Sequence, residues 1–280
     1  MREGEPSRTA FGAAAYRAVH QDLDGGAIFR DPLAWRILGA DREATLADAE
    51  ATGRARLRVF IAARHRFAED SLATAVERGT RQVVVLGAGL DTFAYRNPYD
   101  GTRVFEVDFP ATGAWKRERL AEAGIGVPGT VTYVGVDFET DDLMSRLVEA
   151  GLDATAPAFF LWLGVVPYLS EEAVAATLRA IASVPGGEVV FDYTTPTHRL
   201  EARAQSDRTD LVARVAEVGE PLSAGLEPET LHVLLAELGF DEVEDLDRPQ
   251  IRQRFLGRPG GTETGGAHLL RARAGGILTP

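Results

Sequence analysis

The 280-residue sequence predicts an α/β fold: a mostly parallel, seven-stranded sheet with helices on both faces. Three observations predict it. From residue 82 onward, short apolar runs alternate with helical patterns. The run Val83-Val84-Val85-Leu86 is wholly apolar, as a strand buried on both faces of a parallel sheet is. It enters Gly87-Ala88-Gly89 directly, and such a turn lets backbone lie close against a ligand.

The elements follow in order. Residues 7–80 read as mostly helical and precede the first strong strand. Ser7-Arg8-Thr9-Ala10 opens an Ala-rich helix reaching Gln21, and Asp31-Pro32 reads as a helix start with Pro at the first helical position. Phe60, Ala63, Phe67, Leu72, Ala75 and Val76 recur at helical spacing until Gly79 ends the segment. Strands are expected at 82–87, 103–108, 131–135, 158–164 and 187–193. Helices are expected between them at 91–97, 111–124, 140–150 and 170–183. Residues 196–226 break this rhythm, being polar and Arg-rich, and read as a helical lid insertion over the carboxyl ends of the strands. A helix at 227–238 and closing strands at 240–247 and 267–273 complete the chain, with a Gly-rich hairpin loop at 257–266. One domain is expected over 1–280: an N-terminal helical cap (1–80), a ligand-binding core (81–195), the lid (196–226) and the closing helix and strands (227–280).

Composition narrows the function classes. The formal charge is −12, which argues against nucleic acid as a partner because phosphate binding needs a basic face. There is no cysteine, so disulfides and thiolate metal sites are excluded, and no metal is expected. No apolar run approaches the roughly 18 residues of a membrane span. With no signal region at Met1–Pro6, the expected compartment is the cytoplasm. Monomer and homodimer both fit an acidic chain of this kind. Lys116 is the only lysine. It falls in a helical stretch among charged neighbours, an unpromising setting for Schiff-base chemistry.

The glycine turn and a second strand ending in Glu106-Val107-Asp108 make half of a nucleotide-type site: glycines for the cofactor body, an acid for the ribose hydroxyls. Strand alternation puts Glu106 and Asp108 on one side. Asp108 is nearer the carboxyl end, where a ligand would lie.

Leu86-Gly87-Ala88-Gly89-Leu90-Asp91-Thr92, then Tyr95-Arg96, then Phe105-Glu106-Val107-Asp108-Phe109-Pro110 resemble the S-adenosylmethionine-dependent methyltransferases of the leucine carboxyl methyltransferase-like group, which includes bacterial O-methyltransferases of polyketide pathways. Ser7-Arg8-Thr9-Ala10, Arg17-Ala18, Arg30-Asp31-Pro32-Leu33-Ala34, Ala62-Ala63-Arg64-His65-Arg66-Phe67 and Gly164-Val165-Val166-Pro167-Tyr168-Leu169 extend the resemblance over roughly residues 7–195. It implies a Rossmann-like class I methyltransferase fold, S-adenosylmethionine as cofactor and S-adenosylhomocysteine as product. It also implies roles: Gly87, Ala88 and Gly89 at the nucleoside, Asp108 at the ribose, and Asp137 with Phe138 at the adenine, with Asp91 and Phe109 also cofactor-binding. Arg64, preferred to Arg66, would clamp the methionine carboxylate, with Arg8 as a second candidate. One departure is visible. The family commonly carries Glu-Gly after strand four, where this chain has Leu163-Gly164. These two residues and Tyr168 are expected to line the pocket.

The implied reaction is methyl transfer to oxygen on a small natural product. A carboxylate acceptor is already the nucleophile at neutral pH, whereas a hydroxyl gains from a base. His198, Tyr193 and His65 are the candidate bases. Arg199 and Arg203 are candidates to orient an anionic acceptor, as is Arg208. His232 is read as structural. Two alternatives stay open. A catalytically silent relative would bind the cofactor as a sensor or scaffold. A nicotinamide-dependent oxidoreductase would share the Gly-x-Gly and the later acid, but Thr92 stands in place of the third glycine and no Tyr-x-x-x-Lys pair occurs.

Overall fold

The computed structural model describes residues 8–200, 222–259 and 265–275. Helices α1 (Arg8–Leu23), α2 (Ala34–Leu38), α3 (Arg42–Ala51) and α4 (Ala55–Glu77) lead into the sheet. Then β1 (Gln82–Leu86), α5 (Phe93–Arg96), β2 (Arg103–Asp108), α6 (Pro110–Glu122), β3 (Val131–Gly135), α7 (Leu143–Glu149), β4 (Ala158–Trp162), α8 (Glu171–Ala182) and β5 (Glu188–Thr194) alternate. The chain closes with α9 (Pro228–Glu237), β6 (Phe240–Leu246), α10 (Arg248–Leu256) and β7 (Ala267–Ala274). The strands form one sheet in the order β3-β2-β1-β4-β5-β7-β6. Strands β1 to β5 pair in parallel, and β7 runs antiparallel to both β5 and β6.

Alternation divides each central strand between two cores. Val84 and Leu86, Phe105 and Val107, and Phe160 and Trp162 pack towards α7, α8 and α9. Val83 and Val85, Val104, and Phe159 and Leu161 pack towards Ala63, Phe67 and Leu72 of α4. A third cluster joins α1 and α2 to the glycine turn and α6 through Ala14, Ala18, Ile37, Leu38, Leu90 and Leu120. The sheet therefore carries helices on both faces, α4 among them, and α1 and α2 sit beside the segment that follows β1.

Several boundaries move for local reasons. Helix α3 has no buried residue, so it lacks an apolar stripe to announce it; its signal is Asp41, whose carboxylate caps the Ala44 N–H at 2.8 Å. Helix α10 fills residues 248–256, which the sequence leaves unassigned ahead of the expected 257–266 loop; it is started by the capping box of Asp247 with Gln250 and ended by Gly257 at φ +59°. The expected helix at 140–150 begins at Leu143, because Asp142 caps it. Asp31 does not start a helix on the surface: it is fully buried, and α2 begins at Ala34. Strand β4 stops at Trp162 because Gly164 takes φ +73°. Residues 201–221, and with them most of the expected lid, lie outside the described residues.

Asp245, with a nearly buried side chain, helps tie the antiparallel edge. Asp245 of β6 accepts the Tyr193 hydroxyl of β5 at 2.6 Å, and His268 Nδ1 of β7 and His232 Nε2 of α9 each lie 2.9 Å from its carboxylate. Burial pushes its carboxyl upward, but hydrogen bonds from His268 and Tyr193 outweigh this and hold it below the ordinary 3.8. The unfolded chain therefore takes up the proton first as pH falls. The stabilisation is complete above the unfolded pKa and is lost as pH drops through the folded one. Asp245→Asn is expected to flatten the acid limb of a Tm–pH profile below about pH 5. An unchanged limb would show that other carboxylates govern acid unfolding.

Candidate cofactor site

The site is built where β1, β2, β4 and β5 present their carboxyl ends. Gly87 and Gly89 take φ of +63° and +41°. Both are also pressed by neighbours. A Cβ on Gly87 would meet Val165 Cγ2 at 2.2 Å, and one on Gly89 would meet Ala10 Cβ at 2.9 Å. The turn is thus held between the loop after β4 and the start of α1. Its Ala88 N–H donates to Val107 O at 3.0 Å, which extends the β1–β2 pairing into the turn.

Asp108 is fixed at the end of β2. Its carboxylate accepts the Gly89 N–H at 2.6 Å and the Phe109 N–H at 2.7 Å. Glu106, on the same side of the strand, is buried instead. It accepts Lys116 Nζ at 2.7 Å and the Tyr95 hydroxyl at 2.6 Å, and Tyr95 reaches Tyr133 at 3.0 Å. Burial pushes the Glu106 carboxyl upward even with the ammonium beside it. Lys116, expected among charged neighbours, is 1% exposed and also donates to Ala88 O at 3.3 Å. A pocket of ≈ 190 Å³ opens beside this group, lined by Ala88, Glu106, Asp108, Lys116, Arg117 and Tyr133 among others.

Arg64 projects from α4 towards the ends of β4 and β5. It is 7% exposed, whereas Arg66 lies on the exposed face and pairs with Asp70. Arg64 Nη1 donates to Asp192 Oδ2 at 3.0 Å, while Asp192 Oδ1 accepts the Gly164 N–H at 2.6 Å. A Cβ on Gly164 would sit 2.7 Å from Arg64 Nη1, so the guanidinium lies against bare backbone. Arg64 Nε is buried and has no partner among the described residues. Leu163 is half-buried and packs into the core on the α4 side.

Asp91 accepts the Phe93 N–H at 2.7 Å, and His65 Nδ1 lies 3.4 Å from its carboxylate. His65 stacks on Phe29 with centroids 5.4 Å apart. Burial, and then the charges of Arg17, Arg64 and Arg96, push its imidazole well below the ordinary 6.5, so it is neutral at pH 7. Asp137, expected as a cap or an adenine contact, caps a turn: it accepts the Glu139 N–H at 3.0 Å, while Asp142 caps α7. Phe138 is half-buried against the core beneath α7.

His198, Tyr193 and Arg199 are committed to partners away from the site, and other expected residues lie at its border or outside the described residues. His198 is exposed and pairs with Glu227 at 3.1 Å, so it is a solvent-facing partner of an acid and no base of this site. Tyr193 faces the opposite side of β5 from Asp192; its hydroxyl is committed to Asp245, and burial followed by that carboxylate pushes its ionisation far above the ordinary 10. Arg199 is neutralised by Glu227 and Glu229 at the start of α9. Tyr168 is half-buried in a single helical turn over Val166–Tyr168. The backbone of Arg8 starts α1, but its side chain, Arg203 and Arg208 lie outside the described residues.

Asp31 and Asp192 were missed. Asp31 accepts Arg17 Nε at 3.1 Å and Thr92 Oγ1 at 2.7 Å, binding α1 to the segment after the glycine turn. Asp192 was legible as the single charge within Val189-Val190-Phe191-Asp192-Tyr193, since a buried strand rarely holds an acid without a partner.

Sheet order, glycine turn and terminal acid together define a class I S-adenosylmethionine-dependent methyltransferase. The leucine carboxyl methyltransferase family model matches residues 10–182, and the chain belongs to this family. It is 30% identical over 285 residues to the provisionally named S-adenosyl-L-methionine-dependent methyltransferase YktD of Bacillus subtilis, covering 91% of this chain and 93% of the relative. It is 33% identical to a likewise provisionally named methyltransferase of Mycobacteroides abscessus, covering 91% and 81%. In fold it is similar to a DUF574 family protein from Streptomyces avermitilis, with TM-score 0.54 and 20% identity over 94% and 97% of the two chains. It is also similar to an O-methyltransferase family protein from Burkholderia thailandensis, with TM-score 0.50 and 15% identity over 95% and 73%. The cofactor is S-adenosylmethionine, and the nicotinamide reading falls. No described helix is long and apolar enough to cross a membrane.

Proposed function

We propose that this chain methylates an oxygen of a small-molecule natural product, with a carboxylate favoured over a hydroxyl. The observation that carries the preference is where the candidate bases go. His198 is turned to solvent, Tyr193 is spent on Asp245, and His65 is buried beside Asp91 with its basicity lowered by burial and by the charges of Arg17, Arg64 and Arg96. A carboxylate needs none of them, because it is ionised above about pH 4. The family's description as carboxyl methyltransferases supports the same preference.

The residues fit the cofactor in kind. Arg64, with its buried Nε lacking a partner among the described residues, suits a carboxylate. Gly87, Ala88 and Gly89 offer bare backbone to the nucleoside, Asp108 with Phe109 takes the ribose hydroxyls, and Asp137 with Phe138 takes the adenine. Asp91, Leu163 and Gly164 border the methionine end, with Tyr168 at the acceptor side. Bound there, S-adenosylmethionine supplies a methyl group already activated by its sulfonium. The protein's work is then alignment and exclusion of water. Helices α1 to α4 would cover the 81–195 core, and α9, β6 and β7 would brace its edge. The setting is cytoplasmic, without nucleic acid or membrane as partner, in a monomer or homodimer.

The test is turnover. The protein is incubated with S-adenosylmethionine and a panel of aromatic and aliphatic carboxylic acids and phenols, and S-adenosylhomocysteine is quantified. The expected product is a methyl ester, which mild base hydrolyses to methanol. A base-stable methyl ether would move the acceptor to a hydroxyl. Saturable binding with no product from any acceptor would favour the sensor.

A further inference from the structure

Asp192 sits where a ligand's amino acid head would arrive. Strand alternation turns Val190 towards the α4 side and Val189, Phe191 and Tyr193 towards the other. Asp192 shares the α4 side and meets Arg64 there. Both side chains are nearly buried, at 8% and 6% exposure. A buried ion pair is a poor source of stability, since desolvation of two charges consumes most of their attraction. The pair also stands at the carboxyl edge of a parallel sheet, beside the glycine turn, where ligands of such folds lie. The loops are joined here: Val165 leans on Gly87 while Gly164 is bonded to Asp192.

One polar atom of this cluster lacks a partner among the described residues. Arg64 Nε is buried and donates to none of the described residues, although Nη1 is satisfied by Asp192. A guanidinium with a buried donor to spare asks for an acceptor. A lone buried arginine would take any anion, phosphates included. An arginine with a carboxylate 3.0 Å from its Nη1 is different, because it presents plus and minus charges side by side. The matching ligand carries minus and plus on adjacent positions, as the carboxylate and ammonium of an α-amino acid do. It also leaves the net charge of the site unchanged, whereas a polyanion would meet the repulsion of Asp192.

We propose that Asp192 recognises the ammonium of the cofactor's methionine head, so that Arg64 and Asp192 together select a zwitterion. This rests on the cofactor lying against the glycine turn with Arg64 at its carboxylate, as proposed above. Asp192 would thereby also supply, from β5, an acid at the edge where Leu163 offers none.

Calorimetric titration with three ligands tests it: S-adenosylhomocysteine, its desamino analogue, which keeps the carboxylate and loses the ammonium, and 5′-methylthioadenosine, which lacks the head entirely. The wild-type chain is expected to bind S-adenosylhomocysteine roughly 10- to 100-fold tighter than the desamino analogue. Asp192→Asn is expected to abolish most of that difference and leave 5′-methylthioadenosine unchanged. Arg64→Gln should instead weaken the desamino analogue. Equal wild-type affinity for S-adenosylhomocysteine and its desamino analogue overturns the proposal without any variant. So does an Asp192→Asn variant that loses affinity for all three ligands by one factor. A wild-type chain that binds none of the three would refute the underlying site instead.

Discussion

Arg64→Ala loses S-adenosylhomocysteine affinity by roughly 2–4 kcal/mol, about 30- to 900-fold, while the thermal transition stays single. The magnitude follows from burial. At 7% exposure the guanidinium would meet a ligand carboxylate with little solvent screening, so the contact would be worth more than a surface pair. Truncation also leaves Asp192 buried with only the Gly164 N–H among the partners described here, which repels an arriving carboxylate. Affinity for 5′-methylthioadenosine should move far less. Calorimetry of both ligands on the variant decides it: unchanged S-adenosylhomocysteine affinity would remove Arg64 from the site.

Lys116→Met destabilises the fold by about 3–5 kcal/mol, because it strands the Glu106 carboxylate without its cation in a fully buried position. For a chain of this size the Tm should fall by on the order of 10 °C. Methionine keeps the length of the stem, so lost packing is minor. Glu106 already holds its proton more readily than an ordinary carboxyl, because burial outweighs Lys116. Without the ammonium that tendency grows, so the deficit should shrink as pH falls and the acid is neutralised. The double variant Glu106→Gln/Lys116→Met should recover most of the stability. Thermal melts of the two variants against pH separate a stranded charge from simple loss of packing; a double variant no better than the single would refute the charge explanation.

The difference between what was legible and what was not follows the range of the interaction. β1 could be read because burial on both faces leaves the unbroken apolar run Val83–Leu86, and the glycine turn because positive φ and close neighbours exclude side chains. Asp108 stands out from Glu106 by its place at the strand end, and its carboxylate accepts the Gly89 N–H. Arg64 could not be separated from Arg66 by composition, since both lie on one helix two residues apart. Which one is buried depends on how α4 rotates against β4 and β5. Lys116 looked like one charge among several, because its partner Glu106 lies on a different element and meets it only when α6 packs on β2.

His198 and Tyr193 show the same limit from the other side. Position after β5 made His198 plausible as a base, but its partner Glu227 is contributed by the segment before α9. Tyr193 lost its candidacy to Asp245, which the antiparallel pairing of β7 between β5 and β6 brings into reach.

The sequence by itself determined the strand and helix periodicities, the glycine turn, the terminal acid and the family, because backbone conformation and burial pattern are local properties. The tertiary structure alone decided which charges are partners: Arg64 with Asp192, Lys116 with Glu106, Tyr193 with Asp245. Each joins residues of different elements, and a buried charge is stable only against the partner that folding delivers to it.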